Sequence, residues 1–342
     1  MPLVSVVRAE EDRINEAVGK AIDLIGGLES LRGRKNISIK PNLCQPKSSY
    51  SGATTNRQII EALIEKINSV MHCRINVVEA DNSKESADKT FVQLGYDDLS
   101  LKYSNVRCIN LSRDTKIRVH IGGSILSTLV VPESMLYSDC LISVAKLKTH
   151  VDHLYSGVLK NQYGFILSPG RRPQYHGFMS EVLSDLNSFY RPDLSIIDGL
   201  IGMEGFGPVD GTPRRVGVII ASRDPVAADA VGATIIGIRP ARIGYLKYAE
   251  KKRIGTWKNI EVVGCDIDEV ATSFSFIPNR YYYLGRISLA LQRHSRYVKN
   301  FADFVRLTRS ALTTVGLSAI EKRMSYLGLW RLATDITFRL DA

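Results

Sequence analysis

The chain alternates short apolar runs with segments in which apolar residues recur every three or four positions. Short runs predict buried strands and the longer spacing predicts amphipathic helices. Strands are predicted at 4–7, 37–39, 75–78, 141–145, 194–197, 216–221 and 260–263, with a β-rich region at 106–131. Helices are predicted at 11–25, 59–67, 84–94, 225–233 and 243–252, and another from 181 to Pro192. Thr55 with Gln58 three residues later is a capping-box pattern before the helix at 59–67. Because most strands lack polar alternation, the pattern predicts an α/β fold: a mainly parallel sheet with helices on both faces.

Charge divides the chain of 342 residues into two parts. The net charge is +10, of which +7 falls from Ala271 onward and +3 before it. This asymmetry predicts an α/β domain over 1–270 and a basic amphipathic helical extension over 271–342. Apolar residues of the extension recur on one helical face, at Leu284, Ile287, Leu291, Val298 and Val305. Two interpretations remain open: helices packed on the body, or a surface that binds an anionic membrane or an acidic partner such as a separate electron carrier.

Several classes of protein are disfavoured by the composition. Apolar residues make up 44% and charged residues 23%, which is typical of a globular protein. No stretch approaches the roughly 18 apolar residues of a membrane-spanning helix, and the first residues lack a signal-peptide pattern. The five cysteines are scattered and never spaced CxxC, so we expect no iron–sulfur cluster bound by them. A cytoplasmic or peripheral membrane location is expected, and nucleic-acid binding is disfavoured because no recognised motif is present.

The segment LISVAKLKTHVDHLYSGVLKNQYG, residues 141–164, carries the first candidate chemistry. Its apolar run is followed by Lys146, Lys148 and His150, which are unfavourable residues for a core. A helical pattern then carries Lys160 and Asn161. The segment predicts cations and an imidazole at the end of a strand, although a solvent-exposed basic loop explains it equally well.

Polar residues also follow the other predicted strands: Lys40, Asn42, Glu79, Asp81, Asp198 and Asp224. Ligands of parallel sheets bind beyond the carboxyl ends of the strands. Lysines at one edge can hold a carboxylate or phosphate, and acids can bind a divalent metal or act as bases. We therefore predict that Lys146, Lys148, Asp198 and Asp224 share one edge. As strand-end residues, Lys148 and Asp198 are expected to matter for function more than for stability.

Two further features extend the candidate site. The stretch GLIGMEGFGPVDG, residues 199–211, contains five glycines and Glu204, and its length favours a ligand-facing loop. It is neither a P-loop nor a dinucleotide fingerprint. Asp229 lies among small residues in the helix that starts at Pro225, where its carboxylate needs a lysine or metal partner or gains from the helix dipole. His176 follows a basic loop and is a further candidate.

Taken together, KPNL, KLKTH with SGVLKNQYG, RPDLSIIDGLIGMEGFGPVDGTPRR and VIIASRDPVAADAVGA resemble the domain-of-unknown-function family 362 over roughly residues 36 to 250. Many relatives carry a cysteine-rich ferredoxin module, which this chain lacks. The resemblance implies a shared site without a named reaction. The predicted catalytic residues are Lys148, His150 and Asp198; the substrate-binding residues are Lys40, Asn42, Lys146, Lys160, Asn161 and His176; and the metal ligands are Glu204, Asp224 and Asp229.

Three functions are compatible with these features. The first is an enzyme acting on a small anionic substrate, with or without a divalent metal. The second is a redox-pathway component that works with a separate iron–sulfur partner. The third is a protein that binds a membrane surface or nucleic acid through the basic C-terminal region.

Overall fold

A computed structural model of the chain describes residues 1–276. The strands of this part are β1 (Leu3–Arg8), β2 (Asn36–Pro41), β3 (Arg74–Glu79), β4 (Val106–Asn110), β5 (Lys116–His120), β6 (Thr128–Pro132), β7 (Cys140–His150), β8 (Leu154–Ser156), β9 (Leu194–Glu204), β10 (Thr212–Ser222) and β11 (Glu261–Gly264).

The α-helices of the same part are α1 (Ile14–Asp23), α2 (Arg57–Val70), α3 (Ala87–Gln93), α4 (Asp97–Lys102), α5 (Glu133–Leu136), α6 (Val158–Asn161), α7 (Met179–Phe189), α8 (Pro225–Ile235), α9 (Gly244–Lys251) and α10 (Ile267–Val270). Two 3-10 segments, Gln162–Phe165 and Pro169–Phe178, follow α6.

Nine strands form one sheet in the order β11-β1-β10-β9-β7-β2-β3-β4, with β8 paired to β7. Five strand pairs are parallel: β1 with β11, β2 with β3, β2 with β7, β3 with β4, and β7 with β9. Strand β10 runs antiparallel to both of its neighbours. Strands β5 and β6 form a separate hairpin. The predicted α/β fold, a mostly parallel sheet with helices around it, is confirmed.

The centre of the sheet is completely covered. All eleven residues of β7 are buried, which explains why its apolar run shows no polar alternation. Helices α1 and α2 bury Ile22 and Leu63 against strand residues such as Ile39 and Ile142 in one core. This rigid centre places the carboxyl ends of β2, β3, β7 and β9 side by side.

Three local predictions are wrong. Strand β7 continues through Lys146 and Lys148 to His150, whereas the prediction ended it at residue 145. The first six residues of the predicted glycine loop 199–211 are strand, because β9 extends to Glu204 and its end pairs with the start of β10. Glycine is needed there for close packing: a Cβ at Gly202 would lie 2.9 Å from the carbonyl oxygen of Leu147.

The start of α2 also differs from the predicted capping box at Thr55. The cap is Asn56, whose side chain accepts from the backbone N–H of Gln58. The hydroxyl of Thr55 instead donates to the carbonyl of Val144 on β7. Thr55 therefore ties the start of the helix to the central strand.

The chain divides into two compact units. One contains residues 1–169 and 179–279, and the other contains residues 170–178 and 280–342. Most of the predicted extension over 271–342 lies outside the described residues. Within residues 1–276, no helix combines the length and apolar character needed to cross a membrane.

Candidate functional site

Two buried ion pairs lie at the carboxyl end of the parallel strands. Lys40 Nζ is 2.8 Å from Glu79 Oε1, and Lys146 Nζ is 2.8 Å from Asp198 Oδ2. Both lysines are 1% exposed. The backbone of Gly164 lies close to the first pair, since a Cβ there would lie 2.9 Å from Lys40 Nζ. A buried cation with a carboxylate partner is electrostatically compensated, so these two lysines have little charge left to offer a ligand.

Asp198 is fully occupied by protein partners. Besides Lys146, its carboxylate accepts the backbone N–H of Asn56 at 2.8 Å and that of Leu200 at 3.1 Å. It is 0% exposed. These contacts give Asp198 a structural part in joining β7, β9 and the start of α2. Its predicted catalytic role therefore remains a prediction that its surroundings do not favour.

Lys148 is equally buried but has only uncharged partners. It is 1% exposed, and its Nζ donates to Ala53 O at 2.7 Å and to Asn42 Oδ1 at 2.9 Å. Longer contacts reach Pro208 O at 3.4 Å and Cys44 Sγ at 3.6 Å. Burial lowers the pKa of Lys148, because a charged ammonium is poorly solvated there.

Lys160 lies on α6 and is half-buried. Its ammonium is 5.5 Å from the centre of the Tyr163 ring. Burial, followed by repulsion from Lys148, lowers the pKa of Lys160 to about 8. Within residues 1–276, neither Lys160 nor Lys148 forms an ion pair, whereas Lys40 and Lys146 both do.

Two asparagine amides connect the lysines. Asn161 Nδ2 donates to Lys40 O at 3.0 Å and to Ser143 Oγ at 3.1 Å. Its Oδ1 accepts from Asn42 Nδ2 at 3.3 Å, and Asn42 Oδ1 accepts from Lys148. The structure thus brings together five of the predicted residues: Lys40, Asn42, Lys146, Lys148 and Asn161.

The three predicted metal ligands are not gathered into one site. Glu204 accepts the backbone N–H of Ser275, Asp224 caps α8, and Asp229 accepts two backbone N–H groups at the start of α6. Over residues 1–276, no three His, Cys, Asp or Glu side chains form a group able to hold a metal ion. For Asp224, the physical reason is the direction of β10.

Strand β10 is antiparallel to β9 and pairs its last residue, Ser222, with Ser195 at the beginning of β9. Asp224 therefore lies at the opposite edge of the sheet from Asp198, and its predicted place on the shared edge is wrong. Lys146 and Asp198 are direct partners in the register of β7 and β9, so this part of the prediction is confirmed.

The two candidate histidines lie in different units. His150 is buried at the end of β7, and its Nδ1 accepts the backbone N–H of Asp152 at 3.1 Å. The proton of the neutral ring is thus placed on Nε2. His176 lies in the 3-10 segment Pro169–Phe178, within the second unit. The proposed roles of both residues remain predictions.

Two contributors to the site were missed as site residues. Glu79 neutralises Lys40 and accepts the backbone N–H groups of Leu43 and Ala80, each at 3.0 Å. Its position directly after a buried strand was a usable signal. Cys44 lies beside Lys148, two residues after Asn42. A solitary cysteine carried no comparable signal, because its neighbour comes from a strand about 100 residues later.

Comparisons with known proteins give a family, a curated protein with a similar sequence, and a solved structure with a partly similar chain path. The model of the family described as Domain of unknown function (DUF362) matches residues 37–234. A thylakoid-associated protein, sll1697, of Synechocystis sp. (strain ATCC 27184 / PCC 6803 / Kazusa) is 33% identical over 126 residues, covering 34% of this chain and 38% of that protein.

Among solved structures, lactate racemase apoprotein from Thermoanaerobacterium thermosaccharolyticum aligns with a TM-score of 0.46 and 13% identity. The alignment covers 68% of this chain and 56% of the racemase chain. The chain therefore spans a little over half of that protein and well under half of the cyanobacterial one.

Proposed function

The chain belongs to the Domain of unknown function (DUF362) family, and we propose that it is an enzyme that binds a small anionic substrate where β2 and β7 meet α6. One observation carries the proposal. Of the lysines at this edge, Lys40 and Lys146 have carboxylate partners at 2.8 Å, whereas within residues 1–276 Lys148 and Lys160 form no salt bridge, and only the charge of Asp152 partly offsets that of Lys160. A buried cation without a counterion is unfavourable, and a carboxylate or phosphate would compensate it.

The two lysines without a salt bridge have different parts. Lys160 is half-buried and has no hydrogen-bond acceptor among the described residues, so its ammonium is the one that contacts substrate. A pKa of about 8 lets it exchange a proton near neutral pH. Lys148 donates to Asn42 and Ala53 instead of contacting the substrate, and its charge contributes positive potential at the anion site. The hydrogen bond between the amides of Asn42 and Asn161 holds the end of β2 next to α6.

Binding of sulfate tests this proposal, because sulfate keeps its charge over the neutral pH range. Titration calorimetry in buffers of different ionisation enthalpy is expected to show net proton uptake, since an anion raises the lowered pKa values of Lys148 and Lys160. Lys160→Gln is expected to weaken binding about tenfold or more, the size of a charge-assisted hydrogen bond.

The matched control is Lys89→Gln, which removes an exposed lysine paired with Glu85. It should leave sulfate affinity unchanged. If Lys160→Gln and Lys89→Gln bind sulfate as well as the unchanged protein, the anion site is not where we place it. Short carboxylates and phosphate esters compared by thermal shift then narrow the substrate class.

A second candidate function is attachment to an anionic membrane surface. Two observations favour it: the charge of +7 from Ala271 onward, and the name of the cyanobacterial relative, which calls that protein thylakoid-associated. Each basic residue near such a surface contributes about 1 kcal/mol. Co-sedimentation with phosphatidylserine vesicles should occur at low salt and be lost at high salt or after removal of residues 272–342. No binding at low salt rejects it.

A further inference from the structure

Asp229 on α8 holds the turn that carries Lys160. Its Oδ1 accepts the backbone N–H of Val158 at 2.6 Å, and its Oδ2 accepts that of Leu159 at 3.0 Å. These are the first two residues of α6, whose N–H groups have no partner inside the helix. Asp229 is 0% exposed, so this contact is shielded from water.

The local sequence is adapted to this carboxylate. A Cβ built at Gly157 would overlap Asp229 Oδ1 and lie 2.7 Å from the hydroxyl of Tyr155. Only glycine leaves the space that the carboxylate needs at the start of α6. The small residues around Asp229, such as Ala228 and Gly232, let α8 pack closely here.

A continuous set of hydrogen bonds leads from this turn to the buried lysine. Asn161, at the end of α6, bonds to Asn42, and Asn42 accepts from Lys148 Nζ. A shift of α6 would therefore change the position of Lys160 directly and that of Lys148 through the two amides.

We propose that Asp229 is a positioning residue of the anion site, which fixes Lys160 and Asn161 relative to Lys148 and makes anion affinity depend on its own protonation. The inference rests on the anion-binding function proposed above. It replaces the metal-binding role predicted for Asp229, because both carboxylate oxygens are used by α6.

The titration of Asp229 falls in the neutral range. Burial raises the pKa of Asp229 to about 7. The hydrogen bonds from the backbone N–H groups of Leu159 and Val158 lower it by less, and the charge of Asp224 adds to the rise. Among residues 1–276, Tyr155 from β8 and Tyr245 from α9 also face Asp229, and burial raises their own pKa values well above the usual one. As pH falls through about 7, Asp229 gains a proton, its hold on α6 weakens, and anion affinity decreases.

The experiment compares Asp229→Asn with Asp224→Asn. Both residues are carboxylates of the α8 region that accept backbone N–H groups. Asp229 accepts two from α6, whereas Asp224 accepts two from α8 itself and one from Thr256. Asp229→Asn is expected to weaken sulfate binding about tenfold. The variant should also lack the decrease in sulfate affinity that we expect of the unchanged protein below neutral pH. Asp224→Asn is expected to change stability while leaving sulfate affinity within about twofold.

A second readout follows the Lys160 ammonium by NMR of the isotopically methylated protein. Asp229→Asn should raise the pKa of Lys160 from about 8 toward its ordinary value, because a loosened turn exposes it to water. Asp224→Asn should not. If both variants lose affinity equally, or neither moves the Lys160 pKa, Asp229 has only a structural role and the inference is overturned.

Two further outcomes separate this inference from the proposed function. If the unchanged protein binds no sulfate but Asp229→Asn shifts the Lys160 pKa, the positioning role stands and the anion site is rejected. If Asp229→Asn does not fold, the pH dependence of sulfate binding to the unchanged protein is the test. An affinity that only rises as pH falls through 7 contradicts the inference.

Discussion

Lys146 and Asp198 face each other on neighbouring parallel strands, with Nζ 2.8 Å from Oδ2, and neither has appreciable contact with water. The pair joins β7 to β9, while Lys40 on the neighbouring β2 is paired in the same way with Glu79. It therefore decides how much positive charge the edge of the sheet retains.

Asp198→Asn is expected to lower the free energy of unfolding by about 3–5 kcal/mol, because it leaves the Lys146 ammonium buried and unpaired. Urea unfolding followed by circular dichroism measures the change. This differs from the sequence-based expectation of modest destabilisation, which treated Asp198 as an exposed strand end. A Lys146→Met, Asp198→Leu double variant should recover most of the loss; failure to do so would show that backbone bonds to Asp198 dominate.

Lys148→Met is expected to cost less stability than Lys146→Met. The first leaves the uncharged acceptors Asn42 Oδ1 and Ala53 O without a donor, about 1–3 kcal/mol. The second leaves the buried Asp198 carboxylate without its cation. Lys148→Met should also raise the pKa of Lys160 above about 8, since repulsion from Lys148 is removed. Paired urea titrations and an NMR pH titration check both statements, and the reverse stability order contradicts the first.

Stability is expected to fall as pH rises from about 4 to about 7 because of Asp229. Its pKa is about 7 in the folded protein and near 3.8 in the unfolded chain, so the unfolded state releases its proton first. Linkage then removes stability through this window, on the order of 4 kcal/mol at most. Asp229→Asn should flatten this part of the pH–stability curve, and an unchanged slope would place the Asp229 pKa near its ordinary value.

Gly157→Ala is expected to destabilise the protein by about 1–3 kcal/mol, because the added Cβ displaces Asp229 Oδ1. Gly19→Ala on α1 is the control: apart from the adjoining residues and the backbone of α1 itself, no atom lies within 4 Å of the added Cβ. There, the better helix propensity of alanine should add about 0.5–1 kcal/mol. Thermal unfolding of both variants measures the contrast, and equal effects would contradict it.

The order of strands and helices was predictable because each buried strand is a short apolar run and each helix shows its own spacing. The ends of β7 and β9 were not predictable in the same way. Lys146 and Lys148 remain inside a buried strand because Asp198 and Ala53 supply their partners. These partners lie far away along the chain, and a local pattern of charges does not reveal them.

The direction of β10 could have been inferred only from its true boundaries. Seven residues separate Glu204 from Thr212, too few for the crossover that a parallel pair requires. The predicted strands, ending at 197 and starting at 216, left a gap long enough for either direction. Because β9 and β10 were predicted too short, the direction of β10 was left open. Asp224 was therefore placed at the same edge as Asp198, whereas the two lie at opposite edges of the sheet.

Strand β1 lies between β10 and β11, so Val4 pairs with both Ser222 and Val262. At the far end of the strand order, Ile75 of β3 pairs with Val106 of β4, much nearer along the chain. Closing a long stretch of chain costs more entropy before contacts reward it, and such pairings form slowly. We therefore expect β2, β3 and β4 to assemble early, with β1 and the edge strand β11 docking late and exchanging amide hydrogens before them.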